Sequence, residues 1–390
     1  RAGATGGREG EAIRALRERD VHATPELPEE RSATWTLERL LSSPTIASKE
    51  WIFAQYDSTV RTGTVVGPGG DAAVIRLRGT DRALALKTDC NGRYVYLEPR
   101  VGGRIAVAEA ARNVACTGAR PLAITNCLNF GNPRRPEVYF QLREAIGGMG
   151  EACRAHDTPV TGGNVSLYNE SPVGAVYPTP VIGMVGLIES LDHITRVPFR
   201  QPGDTVILLG EPTDELGGSE YLSCIHGVVA GAPPRIDLER ERALIAALRE
   251  SIEAGVVRSA HDCAEGGLAV ALAECAIADR EAMRGATIDL STWNALPARA
   301  LLFGEAQSRV IVSSPEPARV IAVAERHGVP AFEIGRVTEE ASLRIVTRDR
   351  TIDAPLSRLA ILYYDAIAAL MRRGPAQTAV AEQHPSIATV

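Results

Sequence analysis

The sequence lacks several patterns that identify common classes of protein. No apolar run approaches the roughly 18 residues that a membrane-spanning helix needs. Neither the dinucleotide-binding pattern G-x-G-x-x-G nor the phosphate-loop pattern G-x-x-x-x-G-K-[ST] occurs. We therefore expect neither a membrane protein nor a nucleotide-binding domain of the Rossmann or P-loop type.

Metal-binding cysteine pairs and clustered basic charge are also missing. The seven cysteines form no C-x-x-C pair and have no histidine spacing suited to zinc, so we expect reduced thiols in a cytoplasmic protein. With 42 basic and 48 acidic residues, the net charge of -6 gives no general attraction to nucleic acid or to an anionic membrane. Any bound anion must be held by backbone donors and single basic residues.

What is present suits a globular protein with more than one domain. The chain has 390 residues, of which 45% are hydrophobic and 23% charged. Strands with glycine turns come first and helices are interleaved later, which favours the α+β or mixed α/β class over a doubly wound sheet. The sequence predicts five parts: a tail or remnant of a preceding domain (1–34), a linker (35–54), a first domain (55–195), a second domain (196–373) and a disordered tail (374–390).

Four places combine glycine or an apolar strand with acids or amides. They are Gly69-Gly70-Asp71, Lys87-Thr88-Asp89, Asn126 with Gly131-Asn132, and Gly163-Asn164. Glycine amides can surround phosphate oxygens, and carboxylate or amide oxygens can hold the magnesium that accompanies a nucleotide. Each alone is more often an ordinary turn, because Gly-Asp and Gly-Asn are common turn dipeptides. The stretch from Pro159 to Glu170 is the most suggestive, because two glycines lead directly into a cluster of oxygen-bearing side chains.

Two further features each allow a structural and a functional interpretation. Lys87 follows an apolar strand, where it is either a phosphate ligand or a strand-end lysine in water. His261-Asp262 precedes a predicted helix from Leu268 to Ala278. Because no nucleophile signature accompanies this pair, a helix cap formed by Asp262, with an anion site at Gly266-Gly267, is favoured over a catalytic dyad.

Six motifs in order resemble one family, the synthetase subunits of phosphoribosylformylglycinamidine synthase, in their small form. The resemblance extends from about Ile46 to Arg373. The motifs are Gly67-Pro68-Gly69-Gly70-Asp71-Ala72-Ala73-Val74, Ala110-Ala111-Arg112-Asn113-Val114, Thr125-Asn126-Cys127-Leu128-Asn129-Phe130-Gly131-Asn132-Pro133, Gly162-Gly163-Asn164-Val165-Ser166-Leu167-Tyr168-Asn169-Glu170, Leu216-Gly217-Gly218-Ser219-Glu220-Tyr221, and Ser259-Ala260-His261-Asp262 with Glu265-Gly266-Gly267-Leu268.

The resemblance implies a fold and an activity. The family makes formylglycinamidine ribonucleotide in purine synthesis from formylglycinamide ribonucleotide, ATP and glutamine-derived ammonia. Its synthetase subunit is a pseudo-dimer, and each half is an N-type domain followed by a C-type domain like those of aminoimidazole-ribonucleotide synthetase. This chain resembles the second, C-terminal half, and its first residue, Arg1, suggests a fragment. The small form also implies two partners, a separate glutaminase subunit and a small bridging subunit.

Position by position, the resemblance implies site residues and cofactors. Asn126 and Gly163 would contact ATP, Asn164 would bind Mg²⁺, and Ser166 would contact the ribonucleotide. Some family members have Asp where this chain has Asn126. The catalytic histidines belong to the family's first half, so no catalytic residue is expected here and the chain alone should be inactive or nearly so. By symmetry, Gly217-Gly218 and Gly266-Gly267 would form an auxiliary anion or nucleotide site.

Two other functions stay open. The chain is alternatively a non-catalytic scaffold half that holds a structural nucleotide. A related ATP-dependent phosphotransferase is the third reading, but such an enzyme would carry its own nucleotide lysine and acid cluster in one domain pair. The run from Cys127 to Pro133 speaks against that third reading.

Overall fold

Two sheet-based domains follow one another in the computed structural model, which describes residues 8–25, 31–172 and 174–372. The predicted tail at 374–390 lies outside these residues. The elements before and within the first domain are α1 (Glu11–Glu18), α2 (Ala33–Leu41), α3 (Glu50–Phe53), β1 (Thr64–Val66), β2 (Ala73–Arg76), β3 (Ala83–Asp89), α4 (Gly92–Leu97), α5 (Pro99–Cys116), β4 (Arg120–Asn129), α6 (Pro136–His156), β5 (Val160–Ser166), β6 (Glu170–Ser171), β7 (Gly174–Ala175) and β8 (Thr179–Ile188).

The second domain continues the same mixture of strands and helices. Its elements are β9 (Thr205–Leu209), α7 (Glu220–His226), α8 (Leu238–Glu253), β10 (Ser259–Asp262), α9 (Gly267–Ile277), β11 (Gly285–Asp289), α10 (Ala298–Phe303), β12 (Val310–Ser314), α11 (Pro317–Arg326), β13 (Ala331–Thr338), β14 (Ser342–Val346), β15 (Thr351–Pro355), α12 (Leu356–Tyr364) and α13 (Ala366–Arg372). The single final helix predicted from Leu356 to Met371 is wrong in one respect, because Asp365 separates α12 from α13.

The first domain is built on a six-stranded sheet in the order β1-β2-β3-β8-β4-β5. Only β4 and β5 run parallel, and the other neighbours are antiparallel. Along β8 buried and half-buried residues alternate strictly, as expected for a sheet with one covered face. We predicted that Val181–Ile188 is buried on both faces, and this is wrong: helices α5 and α6 cover one face and leave the other accessible.

The second domain is built on a seven-stranded sheet in the order β10-β12-β9-β13-β11-β14-β15, in which only β11 and β14 are parallel neighbours. All five residues of β9 are buried, so its apolar run was correctly predicted as a strand covered on both faces. Helices α8 and α11 share a core with helix α5 of the first domain. The mixed α+β class is confirmed, and the two domains are joined by continuous apolar packing.

The segments before the first domain also pack onto the body of the protein. In α2, Leu37, Leu40 and Leu41 are fully buried in the core of the second domain, and Val21 is buried there as well. Burying a leucine side chain contributes about 1.5–3 kcal/mol. The Arg299 guanidinium donates hydrogen bonds to the carbonyl oxygens of His22 and Thr24. We predicted that nothing in residues 1–34 buries a core, and the described part of that segment corrects this.

No helix in the described residues is both long enough and apolar enough to cross a membrane. All seven cysteines are unpaired, and four of them are buried.

Close packing of α5 against α6 explains two of the glycines inside these helices. A Cβ atom at Gly103 would lie 2.4 Å from the Ala145 carbonyl oxygen, and one at Gly148 would lie 2.0 Å from the Arg100 carbonyl oxygen. Both neighbours are backbone atoms, which cannot give way without moving a helix. Gly150 is different, since a Cβ atom there would lie 3.3 Å from the flexible end of Arg154.

This difference predicts opposite effects of two alanine substitutions on the same helix. Gly148→Ala should lower the free energy of unfolding by about 1–3 kcal/mol, because the methyl group overpacks the α5–α6 contact. Gly150→Ala should raise it by about 0.5–1 kcal/mol, because alanine is the better helix former. Urea denaturation of both variants measures this, and equal effects would contradict the packing explanation.

Candidate functional site

A cleft of about 840 Å³, here called the interdomain cleft, lies between the two domains. Its walls come from the turn that joins β1 to β2, the end of β3, helix α5, the end of β10, helix α9 and the segment before the first domain. Many of the residues that line it are charged, namely Lys49, Glu50, Asp71, Lys87, Asp89, Glu109, Arg196, Arg200, Asp262, Glu265, Glu274, Asp279 and Arg280.

The glycine turn places a carboxylate on the floor of the cleft. Gly69 adopts a φ of +109°, a conformation that L side chains rarely adopt. The turn ends at Asp71, whose side chain is buried and accepts a hydrogen bond at 3.2 Å from the backbone N–H of Asp262. The turn of the first domain is therefore fixed to a strand of the second domain.

His261 is held between two carboxylates. Its Nδ1 lies 3.0 Å from Oδ1 of Asp71, and its Nε2 lies 3.1 Å from Oε2 of Glu274. Burial by itself lowers the pKa of His261, but these two carboxylates outweigh burial and raise the pKa well above its ordinary value. The two carboxylates therefore favour the protonated ring, whose nitrogens can both donate to them.

Arg112 connects the first domain to the second beneath the cleft. It lies on α5 with no exposed surface, and its guanidinium forms ion pairs with Asp262 on β10 and Glu241 on α8. Its Nη2 also donates to Oε1 of Gln307 at 3.2 Å. We predicted that Asp262 caps the following helix, and this is wrong: Asp262 ends β10 and pairs with Arg112, while Gly266 occupies the N-cap position of α9.

Asn113 and Glu109 lie one helical turn apart on α5 and face the same wall of the cleft. The Asn113 amide donates at 3.3 Å to Asp89 and at 3.2 Å to Asp262, so it bridges a carboxylate from each domain. Burial raises the pKa of Glu109 well above its ordinary value, and the nearby Asp89, Glu265 and Asp262 raise it further.

Asp89 and Lys87 give the cleft its titration behaviour. Burial raises the pKa of Asp89 to about 7, although the Lys87 ammonium opposes the rise. Burial lowers the pKa of Lys87, but Asp89 and Asp71 outweigh burial and leave it raised. The cleft therefore offers an ammonium group beside the Asp89 carboxyl, whose pKa lies near neutral pH. The described residues contain no group of three or more His, Cys, Asp or Glu side chains with the geometry of a metal site.

Another buried acid, Glu305, binds backbone donors at the starts of α7 and α9. Its Oε1 accepts hydrogen bonds of 2.8 Å from the backbone N–H groups of Gly266 and Glu220, and Tyr94 donates to its other oxygen. Burial raises the pKa of Glu305 to about 7. We expected an anion or nucleotide site at Gly217-Gly218 and Gly266-Gly267. The N–H of Gly266 instead donates to Glu305, and those of Gly218 and Gly267 donate to the carbonyl oxygens of Ala230 and Ala264, so these donors are already taken within the protein.

The residues predicted to bind nucleotide, magnesium and substrate lie outside the interdomain cleft, on the parallel strands β4 and β5. We call this pair of strands the strand pair. Asn126 is directly opposite Gly163, Asn164 is opposite Cys127, and Ser166 is opposite Asn129. The structure thus brings Asn126, Gly163, Asn164 and Ser166 together at one edge of the first sheet. The stretch we interpreted as a loop is mostly the edge strand β5, and Ser166 donates to Oδ1 of Asn169 at 3.2 Å.

Gly163 is required by the geometry of this pair. Its φ is +155°, and a Cβ atom there would lie 2.3 Å from both the carbonyl oxygen and Oδ1 of Asn126. Only glycine allows the two strands to approach so closely, which leaves the amide of Asn126 beside an open stretch of backbone.

Sequence reasoning found part of the cleft and missed the rest. It singled out Asp71, Lys87, Asp89 and His261, but it gave no role to Glu109, Asn113 or Glu274. The spacing of four between Glu109 and Asn113 places two polar side chains on one face of an alanine-rich helix, which is a usable signal. The structure was needed to identify these residues as part of a site, because β10 and α9 of the second domain form the rest of the wall.

The pKa of Asp89 predicts how stability depends on pH. Its folded-state pKa of about 7 lies above the ordinary value of 3.8, so between these values the unfolded chain releases a proton that the folded protein keeps. The free energy of unfolding should therefore fall as pH rises from about 4 to about 7. Asp89→Asn should flatten this fall and make the protein more stable than the wild type at pH 8.

Urea denaturation at several pH values measures the effect, with Asp214→Asn on the exposed surface as the matched control. Parallel pH profiles for the wild type and Asp89→Asn would contradict the assignment.

Two family models match the chain. AIR synthase related protein, N-terminal domain, matches residues 69–188, and AIR synthase related protein, C-terminal domain, matches residues 201–348. The chain is 52% identical over 361 residues to the phosphoribosylformylglycinamidine synthase subunit PurL of Moorella thermoacetica. The match covers 92% of this chain and 48% of that protein, so the chain spans about half the length of this curated relative.

Solved structures of Thermotoga maritima PurL have the same fold. The form complexed with FGAR has a TM-score of 0.67 at 21% identity and covers 83% of this chain and 52% of that chain. The form complexed with ATP has a TM-score of 0.64 at 22% identity, with coverage of 83% and 51%. The PurLQS structure has a TM-score of 0.60 at 22% identity, with coverage of 74% and 46%.

Proposed function

Since the chain belongs to the family of AIR synthase related proteins, we propose that it is part of an ATP-dependent carbon–nitrogen ligase of purine biosynthesis in the cytoplasm. The reaction proposed converts formylglycinamide ribonucleotide, ATP and glutamine-derived ammonia to formylglycinamidine ribonucleotide. The observation that carries the proposal is the 52% identity to a PurL subunit along 92% of this chain.

The strand pair supplies the residues that we assign to ATP and to the ribonucleotide. The Gly163 backbone can approach a phosphate oxygen because it has no side chain there, and the Asn126 amide lies beside it. Ser166 is the last residue of β5, three positions after Gly163. Every residue of β5 before Ser166 is exposed, so a ligand has direct access to these groups.

The donor set of the strand pair fits magnesium only when a nucleotide accompanies it. Mg²⁺ usually keeps several waters and takes one or two protein oxygens together with substrate phosphates. Asn164 offers one amide oxygen, whereas the nearby Glu170 carboxylate already accepts from the Asn132 N–H at 3.0 Å. We assign Asn164 to the ion, which when bound neutralises charge on the transferred phosphoryl group.

In the proposed reaction these residues mainly bind and orient ATP and the substrate. ATP transfers its terminal phosphoryl group to the amide oxygen of the substrate, ammonia forms the new bond at that carbon, and phosphate leaves. Hydrogen bonds from backbone and amide groups stabilise charge that develops during the transfer. The catalytic histidines of the family would be contributed by the other half, so this chain alone should be inactive or nearly so.

The accessible face of the first sheet supports docking of that other half. Ile75 and Leu86 are 39% and 42% exposed, and Leu86 pairs with the half-buried Val185 on the next strand. An apolar face of this kind is typical of an interface. We propose that the complementary half covers it and completes the site at the strand pair, while a separate glutaminase subunit and a small bridging subunit supply ammonia. The T. maritima structure named PurLQS supports the presence of further subunits in such an assembly.

The interdomain cleft favours a second candidate, a non-catalytic half that holds a structural nucleotide. Lys87, Glu109 and Asn113 combine there with the glycine turn, and the cavity is large enough for a nucleotide. The same cleft provides the lysine and acids that a related phosphotransferase would need, so the requirement for such a set does not argue against that function. The 52% identity to a PurL subunit is what argues against a phosphotransferase.

The ligase function is tested by reassembly. This chain is combined with the part of the M. thermoacetica relative that it does not match, and phosphate release is followed with formylglycinamide ribonucleotide, Mg-ATP and ammonium chloride. Activity should appear only when both parts are present. Asn164→Ala should then lower the rate at limiting Mg²⁺ by about 10–100-fold, because a metal contact is lost.

The exposed Asn294→Ala in the second domain is the matched control and should leave the rate unchanged. Full activity of Asn164→Ala would remove the magnesium assignment and favour the scaffold function. No activity in any combination would contradict the ligase function itself.

A further inference from the structure

A second pocket adjoins the interdomain cleft on the surface of the second domain. It has a volume of about 650 Å³ and is lined by Phe199, Arg200, Gln201, Arg258, Asp279, Ala282 and Arg284. We call it the arginine pocket. Arg200 and Asp279 also line the cleft, so the two cavities meet at these residues.

The topology of the second sheet explains why the three arginines meet. Strands β9, β10 and β11 run in the same direction, since β12 is antiparallel to both β9 and β10, and β13 is antiparallel to both β9 and β11. Arg258 directly precedes β10, Arg284 directly precedes β11, and Arg200 lies shortly before β9. All three therefore project from the same end of one sheet.

The guanidinium groups of the pocket are incompletely neutralised. Arg258 forms an ion pair with Asp204 at 2.9 Å. Arg284 donates from Nη1 to the Met283 carbonyl oxygen at 3.2 Å, while its Nε is buried with no hydrogen-bond partner in the structure. Arg200 is exposed and forms no ion pair with any described residue.

Asp279 is the one acid that lines the pocket, and its carboxylate is engaged in hydrogen bonds within its own turn. Oδ1 of Asp279 accepts hydrogen bonds at 3.2 Å from the backbone N–H groups of Glu281 and Ala282, so this carboxylate holds its own turn. On a protein whose net charge is -6, the arginine pocket is a local concentration of positive charge.

We propose that the arginine pocket binds the phosphate group of a small phosphorylated ligand. A guanidinium presents its N–H groups as a fork that matches two phosphate oxygens, and the unpartnered Nε of Arg284 is a donor that such an oxygen would satisfy. The concave shape and the negative net charge favour a small ligand over a nucleic acid. The proposal does not depend on the ligase function.

The site differs from the interdomain cleft in its chemistry. The cleft surrounds Lys87 with carboxylates, which repel an anion unless protons or cations accompany it. The arginine pocket contains none of Asp71, Asp89, Glu109 or Asp262. A phosphate oxygen can therefore bind there directly, without a metal ion.

Calorimetric titration with inorganic phosphate and with pyrophosphate tests the proposal on the full chain. Wild type should bind both saturably, and Arg200→Gln should weaken the affinity by about tenfold or more, because a charge-assisted hydrogen bond is lost. Arg284→Gln should do the same. Arg196→Gln is the matched control, since Arg196 lines only the cleft, and it should leave the affinity unchanged.

The Nε–H signals of the arginines in nitrogen-15 NMR spectra provide a second readout that does not require the Arg284 variant to fold. Phosphate should shift the signals that disappear in Arg200→Gln and Arg258→Gln. Tighter binding of pyrophosphate than of phosphate would identify a diphosphate ligand that reaches from the cleft, and equal binding would identify a free phosphate group. Absence of saturable binding at millimolar concentrations, or binding that Arg196→Gln weakens and Arg200→Gln does not, would overturn the proposal.

Discussion

The guanidinium of Arg112 is the contact on which the arrangement of the two domains depends. It is fully buried, it comes from the first domain, and its carboxylate partners Asp262 and Glu241 come from the second. Removing one member of a buried ion pair leaves an uncompensated charge, which costs about 3–5 kcal/mol. Because Asp262 also binds the Asn113 amide and its N–H binds Asp71, this one guanidinium fixes the floor and one wall of the interdomain cleft.

The acids whose pKa is raised by burial serve in two different surroundings. Glu305 is used structurally, since it satisfies backbone donors at the starts of α7 and α9 and is bound by Tyr94. Asp89 and Glu109 face the cavity instead, and burial raises the pKa of both carboxyl groups. Burial raises the pKa of Glu305 to about 7 as well, so the difference lies in the surroundings: Glu305 is bound by donors of its own domain interface, whereas Asp89 and Glu109 line a cavity. Perturbed carboxyl groups that line a cavity are candidates for ligand contacts.

The sequence predicted the elements well wherever a local pattern decides the outcome. Strands such as β3 and β9 and helices such as α6 and α8 follow apolar periodicity and their breakers. Prediction from local pattern failed where a residue distant in the sequence determines the contacts of a side chain. An aspartate before a glycine-rich helix start reads as a cap, but Asp262 is taken by Arg112, which is 150 positions earlier in the chain. In the same way, no local signal shows that Glu305 accepts the N–H groups of Glu220 and Gly266. The exposed residues of β5 read as a loop because an edge strand of a half-accessible sheet needs no apolar alternation.

The strand pair and the interdomain cleft are separate places that suit a nucleotide, and their roles in the proposed reaction differ. The most direct measurement is a crystal structure of the reassembled two-part protein with Mg²⁺ and a non-hydrolysable ATP analogue. Phosphate oxygens against the Gly163 backbone and Asn126, with Mg²⁺ about 2.1 Å from the Asn164 side-chain oxygen, are the predicted result. A nucleotide found only in the interdomain cleft beside Lys87, with the strand pair free of ligand, would contradict the assignment of Asn126, Gly163, Asn164 and Ser166.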